Sequence, residues 1–257
     1  MRLKAYSTVE VTDAARSIEP QSLFVTTRWS VVLSARDQDC PDSAAALETL
    51  CASYWYPIYA FVRGQGRTSH DAQDLTQEFF ARLLEKEYLK AVSPEKGRFR
   101  TFLRVALKRF LANEWDRSRT LKRGGGQSPL SLDALNAEER YSREPRDSLS
   151  PDRIYERRWA MLLLEQTISR LRAEYQAAGK MSEFEILKAV LNAERNTIAY
   201  GQFAASLQIS EGAARVAAHR MRKRFRELFR AAVADTVSEP SEVEDELRYL
   251  AGILQNA

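Results

Sequence analysis

Three sets of side chains in this chain could do chemistry, and all three would do it without making or breaking a covalent bond. The first is cationic: Arg215, Arg220, Arg222, Lys223 and Arg224 accompany a run of small residues, Gly212, Ala213, Ala214, Ala217 and Ala218. A helix that is slim at its start and cationic beyond fits a groove bounded by phosphates. The second set mixes cations with a ring. Arg104 and Lys108 share an outer helical face with Thr101 and Trp115. Cations track a phosphate backbone and aromatic rings stack on unpaired bases, although Trp115 could equally fold back over the end of its domain. The third set is acidic: Asp71, Asp74, Glu78 and Glu85 line one side of a helix, with Gln77 at its border. Taken alone, that stripe reads first as a solvated face.

Covalent catalysis finds no support in the sequence. His70 and His219 lack carboxylate and cysteine neighbours at ligand or triad spacing, and Cys40 and Cys51 have no nearby histidine. There is no phosphate loop and no pair of catalytic carboxylates. The expectation is a non-enzyme with no catalytic residue, no metal and no cofactor. Net charge is only +4 over 257 residues, so its distribution matters more than its sum. Lys and Arg cluster from Arg98 to Arg119 and from Arg215 to Arg230, whereas Ser238 to Glu246 is acidic. Clustered cations release counterions from a nucleic-acid backbone; scattered ones do little. Two cysteines without a framework fit a reducing compartment. The first residues lack the apolar core of a signal peptide, and no apolar run approaches a membrane span. A cytoplasmic protein with no membrane partner is expected.

The elements that must position these sets are helical. Apolar residues recur at helical spacing from Thr27 to about Arg36 and from Ala44 to Arg63, where Leu47, Leu50, Tyr54, Ile58 and Phe61 mark one side. Gly64 and Gly66 break that pattern before Ser69, the expected cap of a helix reaching about Tyr88. Its core-facing arc is Ala72, Leu75, Thr76, Phe79, Phe80 and Leu83. A turn from Ser93 to Gly97 leads into a long helix, Arg98 to about Arg119, with Phe99, Phe102, Leu103, Ala106 and Phe110 inward.

The stretch that follows, with its GGG, prolines and serines, reads as a linker in which LSLDAL docks at most as a short turn. A second helical block opens at Ser150-Pro151. It includes Arg157 to Tyr175 and Met181 to Asn192, where Ser182 and Glu185 have capping-box spacing. It closes on a helix-turn-helix whose turn is Gln208, Ile209 and Ser210, with Ser210 as N-cap. The tail restarts at Ser241 with capping-box spacing to Glu244, and Val243, Leu247, Leu250 and Leu254 form an apolar stripe. The expected fold is all-α: two helical domains joined by a flexible linker. Its expected divisions are a disordered 1–20, a first domain over 21–120, a linker over 121–150, a second domain over 151–235 and an acidic helical extension over 236–257.

HDAQDLTQEFFARLL followed by PEKGRFRTFLRVALKRFLANEWDRSR resembles region two of the sigma-70 family of bacterial RNA polymerase sigma factors. FAASLQISEGAARVAAHRMRKRF resembles region four of the same family, and both stand in the family's order. The absence of the extra segments of housekeeping members places the resemblance nearest the extracytoplasmic-function (ECF) class. It implies bacterial core RNA polymerase and promoter DNA as partners, and leaves room for an anti-sigma factor or another regulator. Asp71, Asp74, Gln77 and Glu78 would meet the polymerase clamp helices. The Ser93–Gly97 loop, with Arg98 and Arg100 at its edge, would lie where a flipped −10 base is captured, and Arg104, Lys108, Arg109 and Trp115 would face the −10 region. Arg215, Val216, His219 and Arg220 would read the −35 element, with Arg222 and Lys223 on phosphates and Ser210 and Glu211 near the turn.

The chain departs from the family pattern in places. Arg109 and Asn113 replace the usual Asn and Asp. Ala213, Ala214, Ala217 and Ala218 leave fewer side chains to reach base edges, so −35 specificity is expected to be low or read through DNA shape. The Leu-Pro signature at the start of region four is missing.

Two functions of different class compete on these residues. One is an ECF-type sigma factor that binds core polymerase, recognises two promoter elements and helps open DNA. The alternative is a helix-turn-helix transcriptional regulator that does not act as a polymerase subunit and has no use for the acidic stripe. A regulatory idea follows from the ends of the chain: the acidic segment Glu239 to Glu246 could screen the basic recognition helix, or else simply complete the second domain's core.

Overall fold

In a computed structural model the chain is described over residues 29–36, 41–85, 89, 92–120, 132–143, 149–192 and 198–255. Expectations for 1–20, for Cys40, for the end of the third helix beyond Glu85 and for most of the linker lie outside these residues. Within them the fold is all-α, with ten α-helices and no strand. No helix among the described residues is long and apolar enough to cross a membrane.

α1 (Trp29–Arg36) and α2 (Ser43–Gly64) begin the chain's first core. α2 is its axis: Tyr54, Ile58, Tyr59, Phe61 and Val62 are fully enclosed, even though Pro57 cannot supply a backbone N–H to its own turn. α3 (Ser69–Glu85) and α4 (Phe99–Thr120) pack beside it. Aromatic pairs fasten these helices: Trp55 stacks on Phe80 at 5.8 Å, Phe79 meets Phe110 at 5.7 Å, and Tyr54 meets Phe99 edge-on at 5.5 Å. Each such pair adds a directional term to the burial of its rings. A short 3-10 turn, Pro94–Lys96, delivers the chain into α4.

α5 (Leu132–Arg143) is a twelve-residue helix inside the stretch expected to be a linker. It is longer than the short turn expected for LSLDAL, and it docks on α2. Arg63 meets the Glu138 carboxylate through Nε and Nη2, each at 3.1 Å. The Tyr59 hydroxyl donates to the same carboxylate, and Arg63 lies 4.9 Å over the Tyr141 ring.

α6 (Pro151–Ala177) starts where the sequence places it, with the Ser150 side chain accepting from the Arg153 N–H and Pro151 in the first turn. Gly64 lets its first turn come close, since a Cβ there would sit 2.9 Å from the Ile154 side chain. The N-terminal half of α6 therefore belongs to the first core, through Tyr155, Trp159, Ala160 and Leu163. Its C-terminal half contributes Leu171 to a second core with Phe184, Leu187, Val190, Met221 and Leu228. That second core joins α7 (Met181–Leu187), α8 (Tyr200–Leu207) and α9 (Glu211–Ala234). α10 (Val243–Gln255) then returns against α6 and the end of α9, burying Val243 and Leu250. Packing thus cuts across the expected boundaries at 151 and 236: both α6 and α10 complete the first core.

Three start signals are corrected. Thr68, not Ser69, caps α3: its hydroxyl accepts from the Asp71 N–H at 3.1 Å and donates to the Asp71 carboxylate at 2.8 Å. Ser182 lies inside α7 and does not cap it; Glu185 instead pairs with Lys188 and, at 3.3 Å, with Arg172. The capping box of the tail is Glu239 with Glu242 around the 3-10 turn Pro240–Glu242, two residues before the expected Ser241 and Glu244. Proline at Pro240 preorganises that turn.

Candidate nucleic-acid interface

Arg100, Arg104 and Lys108 recur every fourth residue of α4, so they share one face. Asp152 and Glu156 recur at the same interval on α6 and lie opposite. The Arg100 Nε reaches Glu156 Oε2 at 2.9 Å, and Arg104 Nη1 reaches Glu156 Oε1 at 2.9 Å. Lys108 Nζ and Arg104 Nε reach Asp152 Oδ1 at 2.7 and 3.6 Å. Glu246 of α10 closes the other end of this ladder: its Oε2 lies 2.8 Å from Arg98, and its Oε1 lies 2.5 Å from Arg100. The Arg100–Glu246 contact is an ion pair by distance, its angles falling outside those of a hydrogen bond.

The ladder's centre is dry. Arg100 is 3% exposed and Glu246 0%. The Arg100 guanidinium lies 4.3 Å over the Trp159 ring and 5.6 Å from that of Tyr249. Burial works against its charge, but the carboxylates of Glu246 and Glu156 outweigh that and hold its pKa above the ordinary value. Arg98, Arg100, Arg104 and Lys108 were all expected to face DNA. Here each is met by a carboxylate, and Arg100 is enclosed. The expectation for Arg100 is corrected on that ground: a wheel marks its side of α4 as outward, but later helices cover it.

Two other side chains of this set, one cation and one ring, lie away from those carboxylates. Arg109 is exposed on the opposite side of the helix, beside Phe102 and Phe110. Trp115 is 53% exposed and carries the Arg67 guanidinium 5.1 Å above its ring. Beside the 93–97 turn lies an open groove of about 470 Å³, lined by Ser93, Lys96, Gly97, Arg98 and Thr101 from the first bundle and by Glu242 from the tail. Gly97 has φ +101°, a conformation side-chain-bearing residues avoid, so the turn needs glycine there.

On α3 the acidic residues do share one side. Asp71 and Asp74 are exposed, with Asp74 3.1 Å from the His70 ring. Gln77 and Glu78 are half-buried, and Glu78 is tied to Arg82 at 2.5 Å, which also takes Glu114 of α4 at 2.6 Å.

α8 and α9 are joined by the turn 208–210. Gln208 is left-handed at φ 55°, and Ser210 caps α9 by accepting from the Ala213 N–H at 3.2 Å. Ala214, Ala218 and Met221 are buried against the second core. Ala214 and Ala218 therefore do not thin the outward face, contrary to expectation; they let α9 sit close to its own domain. The outward face carries Ala213, Val216, His219, Arg220 and Lys223, all exposed. Glu211 is bound by Arg215, which also lies 4.8 Å over Tyr200. Arg222 is not a free phosphate contact, since its Nε donates to the Val190 carbonyl at 2.8 Å. The tail does not screen this face either: Glu246 lies on α4, and Glu244 pairs with Arg230 near the far end of α9.

Sequence reasoning missed Asp152, Glu156, Trp159, Glu246 and Tyr249. One signal for Glu246 was present, because it falls between Val243 and Leu250 on the apolar stripe, where a carboxylate requires a cation. The Cys51 thiol is half-buried and pushed up to about 11 by burial and then by the charge of Glu48, which suits packing rather than reactivity. Among the described residues no group of histidine, cysteine and acidic side chains is arranged to hold a metal.

Residues 52–120 match the family model for sigma-70 region 2, a span that runs through α2, α3 and α4 and stops at the last residue of α4. The match makes this segment similar to region 2 of the sigma-70 family of transcription initiation factors. No curated protein and no solved structure matches the chain.

Proposed function

We propose that the protein is an ECF-type sigma factor: it binds bacterial core RNA polymerase, directs it to promoters and helps to open DNA. The observation that carries this reading is the region-two match, which falls on the bundle presenting both the acidic side of α3 and the cations of α4. In this reading Asp71, Asp74, Gln77 and Glu78 meet the polymerase. The 93–97 turn, Arg98, Arg104, Lys108, Arg109 and Trp115 meet the −10 element, joined by Arg100 once it is uncovered. α8 and α9 form the helix-turn-helix for the −35 element, with Val216, His219, Arg220 and Lys223 outward, Arg215 beside them, and Ser210 and Glu211 at the helix start. Opening is driven by binding energy, as unpaired bases are held on cations and rings. The site of action is the cytoplasm, and an anti-sigma factor or other regulator is a candidate further partner.

The plain regulator remains the second reading, because Arg98 and the α4 cations Arg100, Arg104 and Lys108 are occupied by internal carboxylates while the outward face of α9 is open. Run-off transcription with bacterial core polymerase separates the two. Wild type should initiate from genomic fragments, and Asp71→Lys/Asp74→Lys should abolish initiation while duplex binding persists. Absence of any polymerase-dependent initiation by wild type, with DNA binding intact, would make the protein a regulator.

A further inference from the structure

The tail and the 93–97 turn touch at several independent points. The Ser238 hydroxyl donates to the Pro94 carbonyl at 2.5 Å, across a sequence separation of 144 residues. Glu242 enters the lining of the groove beside Lys96, Gly97 and Arg98. Glu246, fully enclosed, takes both Arg98 and Arg100, and the Tyr249 ring of the same helix lies 5.6 Å from the Arg100 guanidinium. An acidic segment thus occupies the cations at the mouth of the loop where a nucleic-acid phosphate would need them.

We infer that α10, with the 238–242 turn, is an intramolecular anionic lid over the DNA-facing edge of α4, and that it must leave before that edge grips a strand. The inference rests on the promoter-contact reading of α4, and it corrects the target of the tail from the recognition helix to the first bundle. Its physical basis is competition. A cation committed to an internal carboxylate releases no counterion when a phosphate arrives, so it contributes nothing to affinity until the carboxylate departs. The burial of Glu246 makes the competition steep, because its charge loses both partners if Arg98 and Arg100 turn to DNA. The lid also has a lever. α10 rests on α6 and on the end of α9, so a force that moves α9 toward its own DNA site reaches α10 directly. By linkage, whatever dislodges α10 favours DNA at α4, and DNA at α4 favours dislodging α10.

Two measurements on the full-length protein, without polymerase, test this. The first is fluorescence anisotropy with labelled oligo(dT), comparing wild type with Glu246→Gln. The variant should bind about tenfold tighter, with a log K against log salt slope steeper by about 0.7 to 1.4, the contribution of one or two further phosphates on a single strand. Equal affinity in a folded variant, or no binding by either protein, overturns the lid. The second uses wild type alone, so it decides the matter even if Glu246→Gln does not fold. Hydrogen exchange across 243–255 should accelerate when oligo(dT) is saturating; unchanged protection overturns the inference. Failure here with successful run-off transcription leaves the sigma reading intact. Success here with no initiation by polymerase leaves a lidded DNA-binding protein that is not a sigma factor.

Discussion

Arg63 and Glu138, 75 residues apart in the chain, hold α5 against α2 through two parallel contacts of 3.1 Å. Burial works against the Glu138 charge, but hydrogen bonds from Tyr59 and Arg63 more than offset it, so its carboxyl lies below the ordinary range. A carboxyl depressed by folding stabilises at pH above its unfolded value, and that stability is lost as pH falls through the folded value. Glu138→Gln should therefore cost about 1–2 kcal/mol at neutral pH. The gap from wild type should close in urea melts taken below the ordinary carboxylate range. A gap that is constant with pH would show that the charge contributes nothing.

The α4 ladder should respond unequally along its length. Arg100→Ala leaves Glu156 and Glu246 in a dry site with one cation fewer, at a cost of about 3–5 kcal/mol. Lys108 is half-exposed, and Lys108→Ala should cost less than about 1 kcal/mol. Denaturant midpoints compare them; similar losses would mean that the centre of the ladder is wetter than its geometry indicates.

On α9, two neighbouring arginines should separate binding from stability. Arg220 is exposed on the outward face, and Arg220→Ala should lower duplex-DNA affinity by about tenfold with an unchanged Tm. Arg222 is anchored to the Val190 carbonyl, and Arg222→Ala should lower Tm through the loss of about 1–2 kcal/mol. Anisotropy and thermal melts on both variants read the split. A fall in Tm for Arg220→Ala would place that side chain in the fold rather than on DNA.

The turn before α9 offers a pair of opposite sign. Gln208 adopts φ 55°, a conformation that costs a side-chain-bearing residue about 1 kcal/mol. Gln208→Gly should be neutral to stabilising by up to about that amount. Ser210→Ala removes the cap and should destabilise by about 1 kcal/mol. Stability curves that move in the same direction for both would contradict this account of the turn.

Local hydrogen bonding explains what was legible. Ser210 and Ser150-Pro151 announce helix starts because a side-chain oxygen and the nearest free N–H are only three residues apart. The arc Ala72, Phe79, Phe80 and Leu83 announces an inward face because its periodicity survives any partner. The covering of Arg100 was not legible in the same way. A helical wheel divides α4 into a core side and an outer side, but it cannot say that a helix 56 residues on will bring Glu156 to the outer one. α5 was hidden by its neighbours, since GGG and the prolines dominate composition while the anchor, Glu138, acts through α2. Glu246 was the nearest miss: an acid on an apolar stripe is a demand for a cation elsewhere.

α6 gives Tyr155, Trp159 and Leu163 to one core and Leu171 to the other along 27 residues, a rod of about 40 Å. Melting either core withdraws half of the packing that keeps this rod helical, so the two cannot come apart one at a time. A chain whose composition suggests two beads on a string is thus expected to show a single calorimetric endotherm, its cooperativity carried by one shared backbone.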